Sequence, residues 1–166
     1  MVVLALQASS RQREYPHAQA LRSLLTANEI DWMEIGKKEW YGRLTPSAQE
    51  FRVSDIPAVL EQADLIIAVD SGILALGLAL GKPTIGLFGP TSEKIIAEQF
   101  HRFHPDLELK VIRSQEPDVC QRPCNFHEDR GYGINGKCTR IPIAKCMQEI
   151  RPETVLAAVK EFYDHS

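Results

Sequence analysis

The sequence predicts a small α/β protein built on one doubly wound parallel sheet. Three observations carry that reading. Apolar runs of strand length recur at residues 2–6, 65–69 and 84–88, as expected of strands covered on both faces. Helical stretches lie between them, with Ala18, Leu21, Leu24 and Leu25 spaced for one helix face and an almost wholly apolar segment at 71–80. Small, polar or glycine-bearing residues close the runs, so strand and helix alternate, which is the order a parallel sheet requires.

The elements follow in order. Residues 2–6 form a core strand closed by Gln7-Ala8-Ser9-Ser10, with Arg11 and Arg13 before Pro16. Proline then opens a helix that ends at Asn28-Glu29. Residues 30–35 form a second strand, and the polar stretch 36–54 reads as a long loop with room for one helical turn. Asp55 is placed to cap a short helix carrying Ile56, Val59 and Leu60. After the strand at 65–69, residues 71–80 are too apolar for a surface helix, and Gly77 allows close approach to the sheet. Gly81 stops that helix in the left-handed region and Pro83 prevents its continuation. Thr91 or Ser92 caps a helix running to about Glu98, residues 107–112 alternate as a strand, and 115–145 is loop-like. Pro152 opens the last helix, 152–164, with Val155, Leu156, Val159, Phe162 and Tyr163 inward.

The bulk numbers exclude several classes. At 166 residues the chain is one domain, 1–166. Its net charge of −3 gives no basic footprint for nucleic acid. No apolar run is long enough to span a bilayer. The amino end is apolar and then basic, the reverse of a signal peptide, so a cytoplasmic protein beginning in a buried strand is expected.

The candidate site lies where residues 63–91 place two polar strand ends, Asp70-Ser71-Gly72 and Gly89-Pro90-Thr91, on neighbouring strands at the carboxyl edge. A helix starting at Ser71 or Gly72 aims unsatisfied N–H groups and its positive end at that edge, which suits an anion. Glycine lets phosphate approach the backbone and the Ser71 hydroxyl adds a donor. Asp70 capping the helix is the structural alternative, of equal weight. Arg11 and Arg13 can reach the same edge and fork onto a diphosphate, although either one singly reads better as a solvated surface arginine. Cys120, Cys124, Cys138 and Cys146 are spaced Cys-x3-Cys-x13-Cys-x7-Cys, with His127 nearby. Only the first pair has zinc-like spacing, so a metal knuckle (zinc), an Fe–S cluster and simple buried or free thiols all stand, with thiols the largest class and the cluster the smallest. His17, His101, His104 and His165 read as surface residues. No Ser-His-Asp order, HExxH, P-loop or GxGxxG is present, so the chain shows a binding edge without an evident catalytic base.

The segment DLIIAVDSGILALGLALGKPTIGLFGPT, residues 64–91, resembles the carboxy-terminal half of glycosyltransferase family 9, the bacterial heptosyltransferases. ASSRQREYP at 8–16 is similar to that family's small-residue, basic, aromatic-Pro segment. Cys146-Met147 and Ile150-x-Pro152-Glu153-x-Val155 are similar to its ending. The resemblance implies a Rossmann-like domain, one half of a GT-B glycosyltransferase, that binds a nucleotide-diphosphate sugar such as ADP-heptose. It places Asp70, Ser71 and Gly72 against the donor's sugar and diphosphate, Arg13 where the family often has Lys or Arg for the phosphates, and Gly89, Pro90 and Thr91 as the neighbouring turn. Ser9 and Arg11, beside Arg13 after the first strand, complete the candidate donor-binding set. Ala75 stands where the family commonly has His. The family's catalytic Asp and acceptor site belong to an amino-terminal domain, so transfer to a glycan or lipid-linked acceptor in cell-surface glycan synthesis, peripheral to the inner membrane, is expected to need that half or a separate chain supplying it. A non-catalytic nucleotide or nucleotide-sugar sensor is the alternative.

Overall fold

The apolar runs become the inner strands of one six-stranded parallel sheet. The computed structural model describes residues 1–10, 12–40, 43–102, 104–114 and 144–165. In chain order its elements are β1 (Val2–Ala5), α1 (Ala18–Ala27), β2 (Trp32–Ile35), β3 (Glu39–Trp40), β4 (Arg43–Leu44), β5 (Ala48–Gln49), α2 (Ile56–Glu61), β6 (Leu65–Val69), α3 (Gly72–Ala79), β7 (Thr84–Leu87), α4 (Glu93–His101), β8 (Leu109–Ile112), α5 (Lys145–Gln148) and α6 (Pro152–His165).

The sheet order is β5-β2-β1-β6-β7-β8, and every pair is parallel. Numbered along the chain, this is the 3-2-1-4-5-6 arrangement of the doubly wound Rossmann-like fold. The chain winds outward from β1 in one direction and from β6 in the other, so the order reverses between those two strands.

Both faces are covered. On one, Val2, Leu4, Ile67 and Val69 pack with Leu21 and Leu25 of α1 and Val155 and Val159 of α6. On the other, Val3, Ala5, Ile66 and Ala68 pack with Leu60 of α2 and Leu74 and Leu78 of α3. Adjacent residues of β1 and β6 thus feed different cores, which is why these strands are apolar throughout rather than alternating. Gly77 lets α3 lie close: a Cβ there would sit 2.6 Å from Ile66 Cδ1. Gly81, at φ +67°, ends the following turn in the left-handed region.

Some local expectations are corrected. Residues 36–54 are not simply a loop, since β3 pairs antiparallel with β4 and β5 adds an edge strand to β2 through Glu34↔Ala48. These strands are two residues long, too short to show an alternation. Asp55 makes no capping hydrogen bond, because a 3-10 turn over Val53–Asp55 already feeds α2 and Ser54 Oγ donates to its carboxylate. Ser92 holds the N-cap position of α4 without a side-chain cap bond. Tyr163 faces outward, 40% exposed. Two histidines expected at the surface have partners: His17 reaches Gln148 O and His104 reaches Ala79 O.

Candidate functional site

At the point where the sheet order reverses, the connections after β1 and β6 leave toward opposite faces and open a crevice at the carboxyl edge. A cleft of about 440 Å³ occupies it. Its floor is the segment after β1 (Ala8, Ser9) and the residue after β6 (Asp70), with the first residues of α3 on one side. Ile35, Phe51 and Ile56 form an apolar wall toward the end of β2 and the start of α2.

Arg13 crosses this floor. Its Nη1 donates to Asp70 O at 3.1 Å and to Asp70 Oδ2 at 3.2 Å, and its Nη2 donates to Ser9 Oγ at 2.7 Å. Guanidinium and carboxylate are both about five-sixths buried, so the pair is far less screened than a surface bridge. Arg13 Nε is buried and has no hydrogen-bond partner among the described residues. Asp70 therefore orients Arg13 and does not cap α3. Ser71, extended at φ −157°, is the cap, accepting from Leu74 N at 3.4 Å. Gly72 follows in open space, with nothing within 4 Å of a Cβ built on it.

The rim holding this floor was not evident in the sequence. The Gln7 carboxamide clamps β1 to β2, donating from Nε2 to Lys37 O and accepting from Lys37 N, both at 2.8 Å. Gly36 leaves room for that clamp, since a Cβ there would lie 2.8 Å from Gln7 Oε1 and push the carboxamide aside. The signal was present: Gly36-Lys37 ends a strand just as Ser71-Gly72 follows one. Beneath the rim, Glu34 is buried and takes Arg22 Nη1 at 2.8 Å and Ser47 Oγ at 3.3 Å. Burial raises its carboxyl above the ordinary glutamate value despite the opposing pull of Arg22.

The structure thus brings Ser9, Arg13, Asp70, Ser71 and Gly72 together in one cleft. Gly89, Pro90 and Thr91 end the adjacent strand but do not line it. Arg113 fastens that turn, donating to Gly89 O and Thr91 O at 2.9 Å and pairing with Glu93 at 2.7 Å. Met147 and Cys146 of α5 close it from above, their side chains 2.6 and 3.1 Å from a Cβ placed on Gly89. Ala75, half-buried in α3, does not line the cleft either. Arg11, Cys120, Cys124, Cys138 and His127 lie outside the described residues. Cys146 is half-buried, and among the described residues no group of three or more His, Cys, Asp or Glu could hold a metal ion. No described helix is long and apolar enough to cross a membrane.

Known proteins resemble the chain in the same region. The model of glycosyltransferase family 9 (heptosyltransferase) matches residues 42–108, which include the ends of β6 and β7. No curated protein is similar enough in sequence to count as a match. The fold is similar to that of E. coli ADP-heptose lps heptosyltransferase II, with TM-score 0.63 and 16% identity over 98% of this chain and 46% of that one. It is similar to E. coli heptosyltransferase WaaC with ADP, with TM-score 0.60 and 14% identity over 98% and 44%. It is similar as well to the iron-containing dodecameric glycosyltransferase TibC from enterotoxigenic E. coli, with TM-score 0.68 and 15% identity over 99% and 45%. At such identities the likeness is one of fold. The chain spans just under half the length of each. The resemblance to heptosyltransferases holds, as a Rossmann-like domain.

Proposed function

We propose that the chain is the nucleotide-sugar-binding half of a heptosyltransferase-like glycosyltransferase and that the switch-point cleft takes the donor. The observation that carries this reading is the cluster of Ser9, Arg13 and Asp70 beside the amino end of α3. A diphosphate there meets the Ser9 hydroxyl, a guanidinium held in a fixed plane, and helix N–H groups that have no intrahelical acceptor. Gly72 adds no side chain in the path of the phosphate. The apolar wall of Ile35, Phe51 and Ile56 suits a flat base. WaaC and TibC, whose fold is similar, have been solved with ADP or an ADP sugar, so an ADP-heptose-like donor is the ligand proposed.

In transfer, the bond from the sugar's anomeric carbon to the diphosphate breaks and negative charge gathers on the departing oxygen. Arg13 and the α3 amino end are already oriented toward that charge, so little reorganisation is needed when it develops. Asp70, held beside Arg13, is placed at the cleft floor to accept from sugar hydroxyls. The acceptor, a cell-surface glycan or its lipid-linked precursor, and the base that takes its proton come from outside the described residues. They would be supplied by an amino-terminal domain or a separate chain meeting this one across the cleft, at the inner face of the membrane.

Titration with ADP, UDP and GDP sugars tests the reading. Saturable binding is expected, strongest for the ADP sugars. A folded sample that binds none of them contradicts it.

A further inference from the structure

Arg13 belongs to no helix or strand of the sheet, so its place on Asp70 depends on the segment that carries it. That segment, residues 12–17, is a strap lying over the end of β1. Its backbone is tied locally by Arg13 N to Ser10 O at 3.0 Å and by Tyr15 N to Leu6 O at 3.1 Å. It is also packed, with Gln12, Glu14 and Tyr15 all buried.

Two side chains reach beyond it. Tyr15, 2% exposed, donates its hydroxyl to Ile150 O at 3.0 Å. His17 lies 2.6 Å from Gln148 O through Nε2. A carbonyl only accepts, so Nε2 of His17 carries the proton in either charge state of the ring. The two rings meet edge to face, centroids 5.7 Å apart. Both accepting carbonyls lie at or just past the end of α5, where helix C=O groups lack intrahelical donors. The same short helix presses Met147 against Gly89. Residues 144–150 therefore tie the strap after β1 to the turn after β7.

We propose that Tyr15 and His17 are positioning residues of the diphosphate site: anchored on the carbonyls of Ile150 and Gln148, they hold the strap so that the Arg13 guanidinium stays on Asp70. This rests on the donor-binding reading above. Neither side chain lines the cleft, so their effect on a ligand passes through Arg13.

The test is ADP titration of the wild-type chain, Tyr15→Phe and His17→Phe, each also in an Arg13→Met background, with amide exchange read at residues 13 and 15. Both substitutions keep a ring and remove one hydrogen bond. ADP affinity is expected to fall about three- to tenfold in each, with faster exchange at those amides. In the Arg13→Met background neither should weaken ADP further. An equal loss with and without Arg13 would mean that the anchors serve the fold generally, and overturns the proposal. Unchanged affinity in both variants, where the wild type binds, overturns it and leaves the donor reading standing. Failure of the folded wild type to bind ADP overturns both. If Tyr15→Phe does not fold, His17→Phe decides.

Discussion

Asp70-Ser71-Gly72 and Gly89-Pro90-Thr91 end two neighbouring parallel strands with similar residues, yet one end is open and the other is sealed. A Cβ on Gly72 meets nothing, whereas one on Gly89 runs into Met147 and Cys146. Each end has a largely buried arginine, its side chain 15% exposed. Arg13 pairs with Asp70 at the edge of a cleft, while Arg113 donates to Gly89 O, Thr91 O and Glu93 and ties a turn shut. The difference comes from topology. Only between β1 and β6 do the connections part to opposite faces, and next to β7 the chain returns as α5 and covers the strand end. Glycine and hydroxyl at a strand end mark a turn; the reversal of strand order makes the turn a cleft.

That contrast can be broken by exchanging roles. Arg13→Met should weaken ADP binding about ten- to a hundredfold, the range expected for charged hydrogen bonds to phosphate. Arg113→Met should leave ADP affinity within about twofold and instead lower the unfolding free energy by about 2 kcal/mol, seen by urea denaturation. The glycines should divide in the same way. Gly89→Ala must displace Met147 and should cost about 1–2 kcal/mol with little change in binding. Gly72→Ala, in open space at the start of a helix, should leave stability equal or slightly higher and weaken ADP about three- to tenfold.

The smallest effect checks that the contrast is local to the carboxyl edge. Glu34, two residues before the rim, has its carboxyl raised by burial. A raised value in the folded state means that its contribution is complete below the ordinary glutamate range and is lost as pH rises through the folded value. The unfolding free energy of the wild type relative to Glu34→Gln should therefore shrink as pH rises above the ordinary glutamate range. Growth of that difference with pH would mean that the Arg22 bridge outweighs burial. ADP affinity should not follow either trend.

Much of this was legible in the sequence because one physical signal dominated each element. Residues buried on both faces give continuous apolar strands, so β1, β6 and β7 were plain, as were Gly77 against Ile66 and Gly81 at positive φ. Ser9, Arg13, Asp70, Ser71 and Gly72 stand out in the sequence because strand ends collect at one edge. What was hidden depends on tertiary partners. β5 is two residues long and is defined by its pairing with β2, not by its own pattern. The Asp70–Arg13 bridge spans a separation of 57 residues, so nothing local distinguished it from a cap. Gln7 over Gly36 and His17 on Gln148 O likewise join residues far apart in the chain. The closure over Gly89 comes from α5, beyond residues 115–143.

Calorimetric titration of ADP into the wild-type chain, Arg13→Met and Arg113→Met under one buffer separates the open strand end from the closed one. Saturable wild-type binding that is weakened by the first substitution and spared by the second is the expected result. No saturable binding to folded protein, or equal weakening in both variants, would contradict the assignment of the switch-point cleft as the donor site.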